Sequence, residues 1–138
     1  MRQVVIVVIG STLIGAQVPP RAEPARSPQA QAFLDQMLMD RVPGEPKRCL
    51  KLDQIRSPIG IDDNTLLFRD GPRIWRNDLQ GGSGCSNLAG KKSLTSFDRP
   101  VQVCKGDRLY VIDLTDGNQT GGCVLGEFTV YNRQKKKD

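Results

Sequence analysis

The sequence predicts a small all-β domain, an antiparallel barrel or sandwich of about six strands that is braced by disulfides. Beyond Lys47, short runs of Leu, Val, Ile, Phe, Tyr and Thr are separated by Gly, Asp, Asn and Pro, which is typical of strands and turns. The same region holds all four cysteines, an even number. The brief connections favour antiparallel order, and of the two architectures we prefer the barrel.

The expected strands cover residues 48–55, 65–69, 73–79, 93–98, 108–114 and 124–131. Asp70-Gly71, between the second and third strands, is the strongest hairpin signal in the chain. Asp116-Gly117-Asn118 predicts another hairpin, between the fifth and sixth strands.

Two strands carry additional information about their place in the domain. Residues 109–114 are apolar at both odd and even positions apart from Asp113, so we expect a central strand that is covered on both faces. Gly126 predicts a bulge in the last strand.

The glycine-rich residues 81–84 lack the lysine and helix of a phosphate-binding loop and predict a flexible loop.

The first sixteen residues have the pattern of a secretory signal peptide. Arg2 gives a positive start, and residues 4–14 are almost continuously apolar. That stretch is shorter than the roughly 20 residues of a membrane-spanning helix, although an uncleaved anchor is an alternative. We therefore expect a periplasmic or secreted protein.

Residues 17–46 predict a linker that contains one short helix at about 28–40. Ser27 followed by Pro28 suits a helix N-terminus, and apolar residues then recur at helical spacing. We expect the helix to dock on the β domain and residues 42–46, which include two prolines, to act as a hinge. The β domain follows over residues 47–132.

An exported chain favours disulfides between the cysteines. Of the three possible pairings we prefer Cys49 with Cys123 and Cys85 with Cys104, because the first bond would join the first strand to the last and close a barrel. A metal site is disfavoured because neighbouring cysteines lie too far apart in sequence. Without histidine, the Ser-His-Asp, Cys-His and His-zinc chemistries are excluded. We expect no cofactor.

The net charge of +5 is concentrated at the C-terminus. Residues 133–138 carry four basic side chains and one acidic side chain, whereas the domain is nearly neutral. The segment predicts a disordered tail, with weak attachment to anionic surfaces as its functional alternative. The domain lacks a basic face with interleaved aromatic residues, so specific nucleic-acid binding is not expected, and we expect a monomer.

A binding hypothesis comes from five residues of the expected hairpin. They are Arg69, Arg73, Trp75, Arg76 and Asn77. Two guanidinium groups beside an indole would suit a carboxylated or phosphorylated ligand or an acidic protein loop. The simpler interpretation, which we favour, has Trp75 in the core and the arginines paired with nearby aspartates.

Carboxylates supply the remaining candidates for chemistry. Asp62-Asp63 could act with Asp53 or Asp107 as general acid and base in a hydrolase of cell-wall sugar polymers. A turn is the favoured interpretation of the Asp62-Asp63 pair. The acidic residues at 113–118 lack the spacing and terminal glutamate of a calcium loop, so we expect a hairpin turn there as well.

Several segments together resemble a known family over residues 48–130. They are Cys49, residues 55–57, 62–66, 68–69 and 76–79, Cys85 with Leu88, residues 104–107 and residues 123–128. The chain resembles small exported proteins of unknown function that are common in sphingomonads and related proteobacteria. The resemblance implies an exported bacterial protein and brings no catalytic residues. The segment before Cys85, residues 80–84, is rich in glycine, whereas the corresponding segment of that family contains proline.

These features favour an exported, non-enzymatic module that binds a partner or a surface in the cell envelope. The carboxylate-dependent hydrolase remains one alternative. A carrier of a small anionic ligand is another, and it would require a hollow barrel lined in part by Arg69, Arg76 and Trp75.

Overall fold

The computed structural model describes residue 15 and residues 25–89, 93–99 and 101–137. The predicted signal peptide, apart from Gly15, and the first part of the predicted linker lie outside the described residues. The helix is α1 (Pro28–Leu38), and the strands are β1 (Arg41–Lys47), β2 (Cys49–Lys51), β3 (Arg56–Asp62), β4 (Thr65–Asp70), β5 (Arg73–Asp78), β6 (Gly81–Ser83), β7 (Ser93–Phe97), β8 (Gln102–Cys104), β9 (Arg108–Asp113), β10 (Gln119–Val124) and β11 (Phe128–Arg133). Two 3-10 helices cover Leu52–Gln54 and Cys85–Ala89.

The strands form three antiparallel sheets, which confirms the predicted β class. The five-stranded sheet has the order β1-β11-β5-β4-β3, the four-stranded sheet has the order β6-β10-β9-β7, and β2 pairs with β8. The sheets remain open, so the preferred barrel is wrong and the sandwich fits. The physical reason is that, within the described residues, no ladder joins an edge strand of one large sheet to an edge strand of the other.

The main core lies between the sheets. Its most deeply buried strand residues come from all three sheets and are Leu50, Leu66, Phe68, Trp75, Val103, Leu109, Val111, Cys123 and Phe128. On the opposite face of the five-stranded sheet, Leu34 of α1 packs against Ile61, Leu67 and Ile74. The five-stranded sheet is therefore covered on both faces.

The strand that is buried on both faces is β4. Leu66, Leu67 and Phe68 are each 0% exposed, because successive side chains point alternately to the main core and to α1. Residues 109–114 were expected to be covered in this way. In β9 only Leu109 and Val111 are buried, while Leu114, just beyond the strand, is exposed. The strand is central in its sheet, as expected, but only one face is covered.

Helix α1 begins and docks as predicted. The Ser27 hydroxyl accepts a hydrogen bond from the Ala30 amide at 3.2 Å, and Pro28 occupies the first turn. The buried Leu34 then fixes the helix to the sheet. The helix ends at Leu38, two residues before the expected boundary.

The predicted hinge at residues 42–46 is instead part of β1. This strand pairs antiparallel with β11 and lies at the edge of the five-stranded sheet. An edge strand tolerates Pro43 and Pro46, because a proline without an N–H group can face solvent there. The register shifts between those two prolines.

The chain between the last two strands differs from the prediction. A single strand was expected at 124–131, but β10 ends at Val124 in one sheet and β11 starts at Phe128 in the other. Gly126 therefore lies in the crossing between two sheets and not in a bulge. Residues 56–62, where no strand was predicted, form β3, and most of the expected first strand is β2 followed by a 3-10 helix.

Both disulfides form, but with a different connectivity from the one we preferred. Cys49 is bonded to Cys104, and Cys85 is bonded to Cys123. The first and last strands of the expected barrel do not meet, and β2 instead pairs with β8, where Cys49 is directly opposite Cys104. Two disulfides indicate an oxidising environment outside the cytoplasm.

Candidate anion-binding groove

The predicted β4–β5 hairpin is present, and it divides the five candidate residues between two faces. Phe68 is opposite Trp75, and Leu67 is opposite Arg76. Because side chains alternate along a strand, Arg69 and Arg76 share the α1 side. The opposite face of the strand, which faces the main core, carries Arg73, Trp75 and Asn77. The structure therefore does not bring the five residues to one surface.

Trp75 belongs to the main core, where it is 1% exposed. Its indole N–H donates to Asp70 Oδ2 at 3.1 Å, and the same carboxylate oxygen pairs with Arg73 Nη2 at 2.8 Å. The ammonium group of Lys47 lies 5.6 Å from the ring centroid. Asp70 thus satisfies the indole N–H at the edge of the core, and the indole ring is not available to a ligand.

Asn77 is completely buried and holds the crossing between the two large sheets. Its side-chain amide donates to the Gly126 carbonyl at 2.9 Å, and its Oδ1 accepts from the Gly126 amide at 2.8 Å. These two bonds satisfy a backbone segment that has no ladder partner. We therefore assign Asn77 a structural role.

Arg76 and Arg69 lie on the α1 side but point to different neighbours. Arg76 Nε pairs with Asp78 Oδ1 at 3.1 Å. Arg69 Nη2 lies 4.0 Å from the sulfur of Met37 on α1. The lining that a carrier would require is not assembled, because Trp75 faces the opposite side of the sheet.

The aspartates proposed as a catalytic set are engaged in separate structural contacts. Asp62 pairs with Arg26 at 2.6 Å, and Asp63 accepts from the Ser86 hydroxyl at 2.9 Å. Asp107 accepts from the Cys104 amide at 2.8 Å. Asp53 lies in the first 3-10 helix.

Arg26 is the most extensively bonded of these partners. Its side chain is only 5% exposed. Besides pairing with Asp62, it donates to Thr65 Oγ1 at 2.6 Å and to Gln31 Oε1 at 3.2 Å. Arg26 therefore ties the residues before α1 to the β3–β4 hairpin.

The acidic residues at 113–118 form the expected turn. Asp113 accepts from the Thr115 amide at 2.7 Å, and Asp116 accepts from the Asn118 amide at 2.9 Å. The hydrogen bond from the Asn118 backbone, helped by the Asn118 side chain, lowers the pKa of Asp116. Gly117 has a φ of 73°, which suits the turn.

A basic groove of about 720 Å³ lies where α1 ends, β1 begins and β11 runs into the C-terminal segment. It is lined by Gln36, Met37, Met39, Asp40, Arg41, Arg133, Gln134, Lys135, Lys136 and Lys137. Five of these side chains are basic and one is acidic. This groove is the strongest candidate site in the described part of the chain.

Strand pairing builds the groove. Arg41 at the start of β1 is directly opposite Arg133 at the end of β11, and the Gln134 amide donates to the Asp40 carbonyl at 2.9 Å. Arg133 was expected to begin the disordered tail but belongs to β11, whereas residues 134–137 have no regular secondary structure. The edge strand therefore brings the α1 terminus and the basic C-terminal residues together.

Arg41 is a cation of the groove that two backbone carbonyls hold in place. Its guanidinium Nη1 donates to the Pro72 carbonyl at 2.6 Å and lies 3.4 Å from the Tyr131 carbonyl. Burial, and then the positive charges of Arg133 and Arg69, lower the pKa of Arg41. The domain thus keeps several cations close together, a suitable arrangement for an anionic ligand.

Two further observations concern the described residues only. No helix there has the length and apolar character that crossing a membrane requires. No group of three or more metal-binding side chains was found in this part of the chain.

The fold and the groove define a disulfide-braced β-sandwich with a cationic groove on the surface of its described part. No protein-family model, curated protein or solved structure matches the chain. The resemblance to small exported proteobacterial proteins therefore stays a prediction.

Sequence reasoning identified the lysines of the groove but missed Met39, Asp40 and Arg41. The basic run at 133–137 is visible as a charge pattern. No sequence pattern indicates that Arg41 belongs to the groove, because its place there depends on the pairing of β1 with β11. Two prolines in β1 obscured that strand.

Proposed function

We propose that this protein is an exported, non-enzymatic module that attaches through its basic groove to an anionic partner or surface in the cell envelope. The observation that carries the proposal is the composition of the groove, in which five basic side chains are accompanied by one acidic side chain. The two disulfides support a location outside the cytoplasm. The family resemblance supports the same location in a proteobacterial cell.

The groove supports binding better than the β4–β5 hairpin does. Trp75 and Asn77 are buried there, and Arg73 already has an aspartate partner. In the groove, Lys135, Lys136 and Lys137 are exposed and can reach a ligand.

A non-enzymatic role is supported by the state of the carboxylates. A general acid and base would have to face one cleft, whereas Asp62, Asp63 and Asp107 each bond a different partner. The groove contains a single carboxylate, that of Asp40, among the described residues.

Binding of inorganic polyphosphate, measured by titration calorimetry at low and moderate salt, tests the proposal. The variant with Lys135, Lys136 and Lys137 changed to Ala should lose about two orders of magnitude in affinity, since each cation near an anionic surface contributes roughly 1 kcal/mol. The wild-type affinity should fall as salt screens these exposed charges.

The matched control removes three other exposed basic side chains, with Arg48, Lys51 and Arg108 changed to Ala. None of these residues lines the groove. If both triple variants lose the same affinity, only net charge matters, and the assignment of the groove is wrong. Absence of wild-type binding would also reject it.

A further inference from the structure

We propose that the anionic target of the groove is the surface of a phospholipid bilayer, with Met39 entering the interface while the surrounding cations bind lipid phosphates. This inference rests on the proposed function and names its target. It is carried by the position of exposed apolar side chains beside the basic ones.

Met39 is the main apolar contact in this proposal. It follows α1 as its C-cap, lines the groove and is 64% exposed. Its φ of −55° and ψ of 137° are those of extended chain, so the residue leaves the helix and its docked face. Transfer of such a side chain from water into an apolar phase is favourable.

Phe33 extends the apolar surface along α1. It is 38% exposed and lies one helical turn before Met37, which also lines the groove. Residues four positions apart lie on the same side of a helix. Met37 is half-buried, because it also packs against the core beneath α1, so Phe33 is the exposed member of this pair and Met37 joins it to the groove.

The basic side chains suit a planar anionic surface. Arg41 and Arg133 are placed by paired strands, whereas Lys135, Lys136 and Lys137 follow the end of β11 on exposed positions. Long basic side chains bind headgroups while their methylene stems lie along apolar surface. A cationic surface next to exposed apolar residues is typical of interfacial attachment, whereas a soluble polyanion would engage the cations without needing Met39.

The test is co-sedimentation with two kinds of vesicle, phosphatidylcholine alone and phosphatidylcholine mixed with phosphatidylglycerol. The full oxidised chain is purified after export by a bacterial host, and its N-terminus is established by mass spectrometry. Every variant carries the same N-terminus, so differences between variants report the groove. Polyphosphate affinity is measured in parallel.

Met39→Ser should weaken binding to the anionic vesicles about tenfold, because a largely exposed apolar side chain no longer enters the interface, and this loss should be clearly larger than any loss of polyphosphate affinity. The triple lysine variant should lose binding to both probes. Val101→Ser is the matched control: Val101 is 72% exposed and lies outside the groove, so both affinities should equal those of the wild type.

The possible failures are distinguishable. Polyphosphate binding without binding to anionic vesicles overturns the bilayer proposal and leaves the proposed function in place. If the wild type binds neither polyphosphate nor anionic vesicles, both the bilayer proposal and the proposed function are rejected. Equal binding to the two kinds of vesicle, or an equal effect of Met39→Ser on vesicles and polyphosphate, also overturns the bilayer proposal, the latter in favour of a soluble anionic ligand. Near-ultraviolet circular dichroism confirms that each variant is folded.

Discussion

Arg41 and Arg133 lie directly opposite each other on the neighbouring strands β1 and β11. Like charges in this position destabilise a sheet, and the charge of Arg133 contributes to the lowered pKa of Arg41. The sheet therefore keeps an arrangement that reduces its own stability. An anion bound between the two guanidinium groups would relieve the repulsion, which links the strand register to the proposed function.

Arg133→Gln should increase stability while weakening polyphosphate binding. Removal of the repulsion should raise the free energy of unfolding by about 0.2–1 kcal/mol. Urea denaturation measures this change, and the increase should shrink in added salt because the groove is open to solvent. Arg108→Gln is the matched control, since Arg108 is opposite Val124 and not opposite a cation. Equal stability changes in the two variants would contradict the argument.

Arg26→Ala should destabilise the protein and loosen α1. The change leaves Asp62 without its ionic partner and removes hydrogen bonds to Thr65 and Gln31. We expect a loss of about 2–3 kcal/mol, below the usual range for a buried pair because water reaches part of Asp62. Denaturation measures the loss, and hydrogen exchange should show faster exchange of the α1 amides than in the wild type.

The control for Arg26 is Arg99→Ala. Arg99 is 3.5 Å from Asp107 and its side chain is 60% exposed, so its loss should cost less than about 1 kcal/mol. If both arginine variants are equally stable, Arg26 does not hold α1 on the sheet.

The local part of the fold could be predicted from the sequence. Ser27 and Pro28 start a helix through contacts within one turn, and Asp70-Gly71 reverses the chain within four residues. Such signals depend on neighbours in sequence. They identified the start of α1 and both hairpin turns correctly, although the second strand of the second hairpin is 119–124 and not the predicted 124–131.

Long-range pairing could not be predicted in the same way. The partner of Cys49 depends on which strand lies beside β2, and no local pattern names β8. The prolines of β1 argue against a strand unless the strand is known to be at an edge. Missing β1 also hid the groove, because Arg41 meets Arg133 only through that pairing.

The candidate cluster at 69–77 shows a related limit. Hairpin turns bring residues close in space, but alternation of side chains decides which face each one occupies. Arg69 and Trp75 are near in sequence and lie on opposite faces. A prediction based on proximity alone therefore joined residues that the sheet separates.

The two disulfides should differ in their rate of reduction. Cys85 and Cys123 are buried in the main core, whereas Cys49 and Cys104 are partly exposed. A mild water-soluble reductant should therefore open the Cys49–Cys104 bond first. Alkylation during a time course, followed by mass spectrometry, identifies the labelled cysteines. Earlier labelling of Cys85 and Cys123 in the folded protein would contradict the burial argument.

Gly126→Ala should destabilise the protein strongly, because the crossing between the sheets has no room for a Cβ atom. An added Cβ would overlap the Asp78 carbonyl oxygen, a backbone atom fixed in β5, so either that strand moves or the Asn77 bonds to Gly126 break. We expect a loss of about 3 kcal/mol, at the upper end for overpacking. Gly81→Ala is the control: its Cβ would meet no atom within 4 Å, and the change should stay within about 0.5 kcal/mol. Urea denaturation compares the two variants. Similar unfolding midpoints would show that the chain at the crossing can shift to accept a Cβ atom at little cost, and would contradict the expected loss.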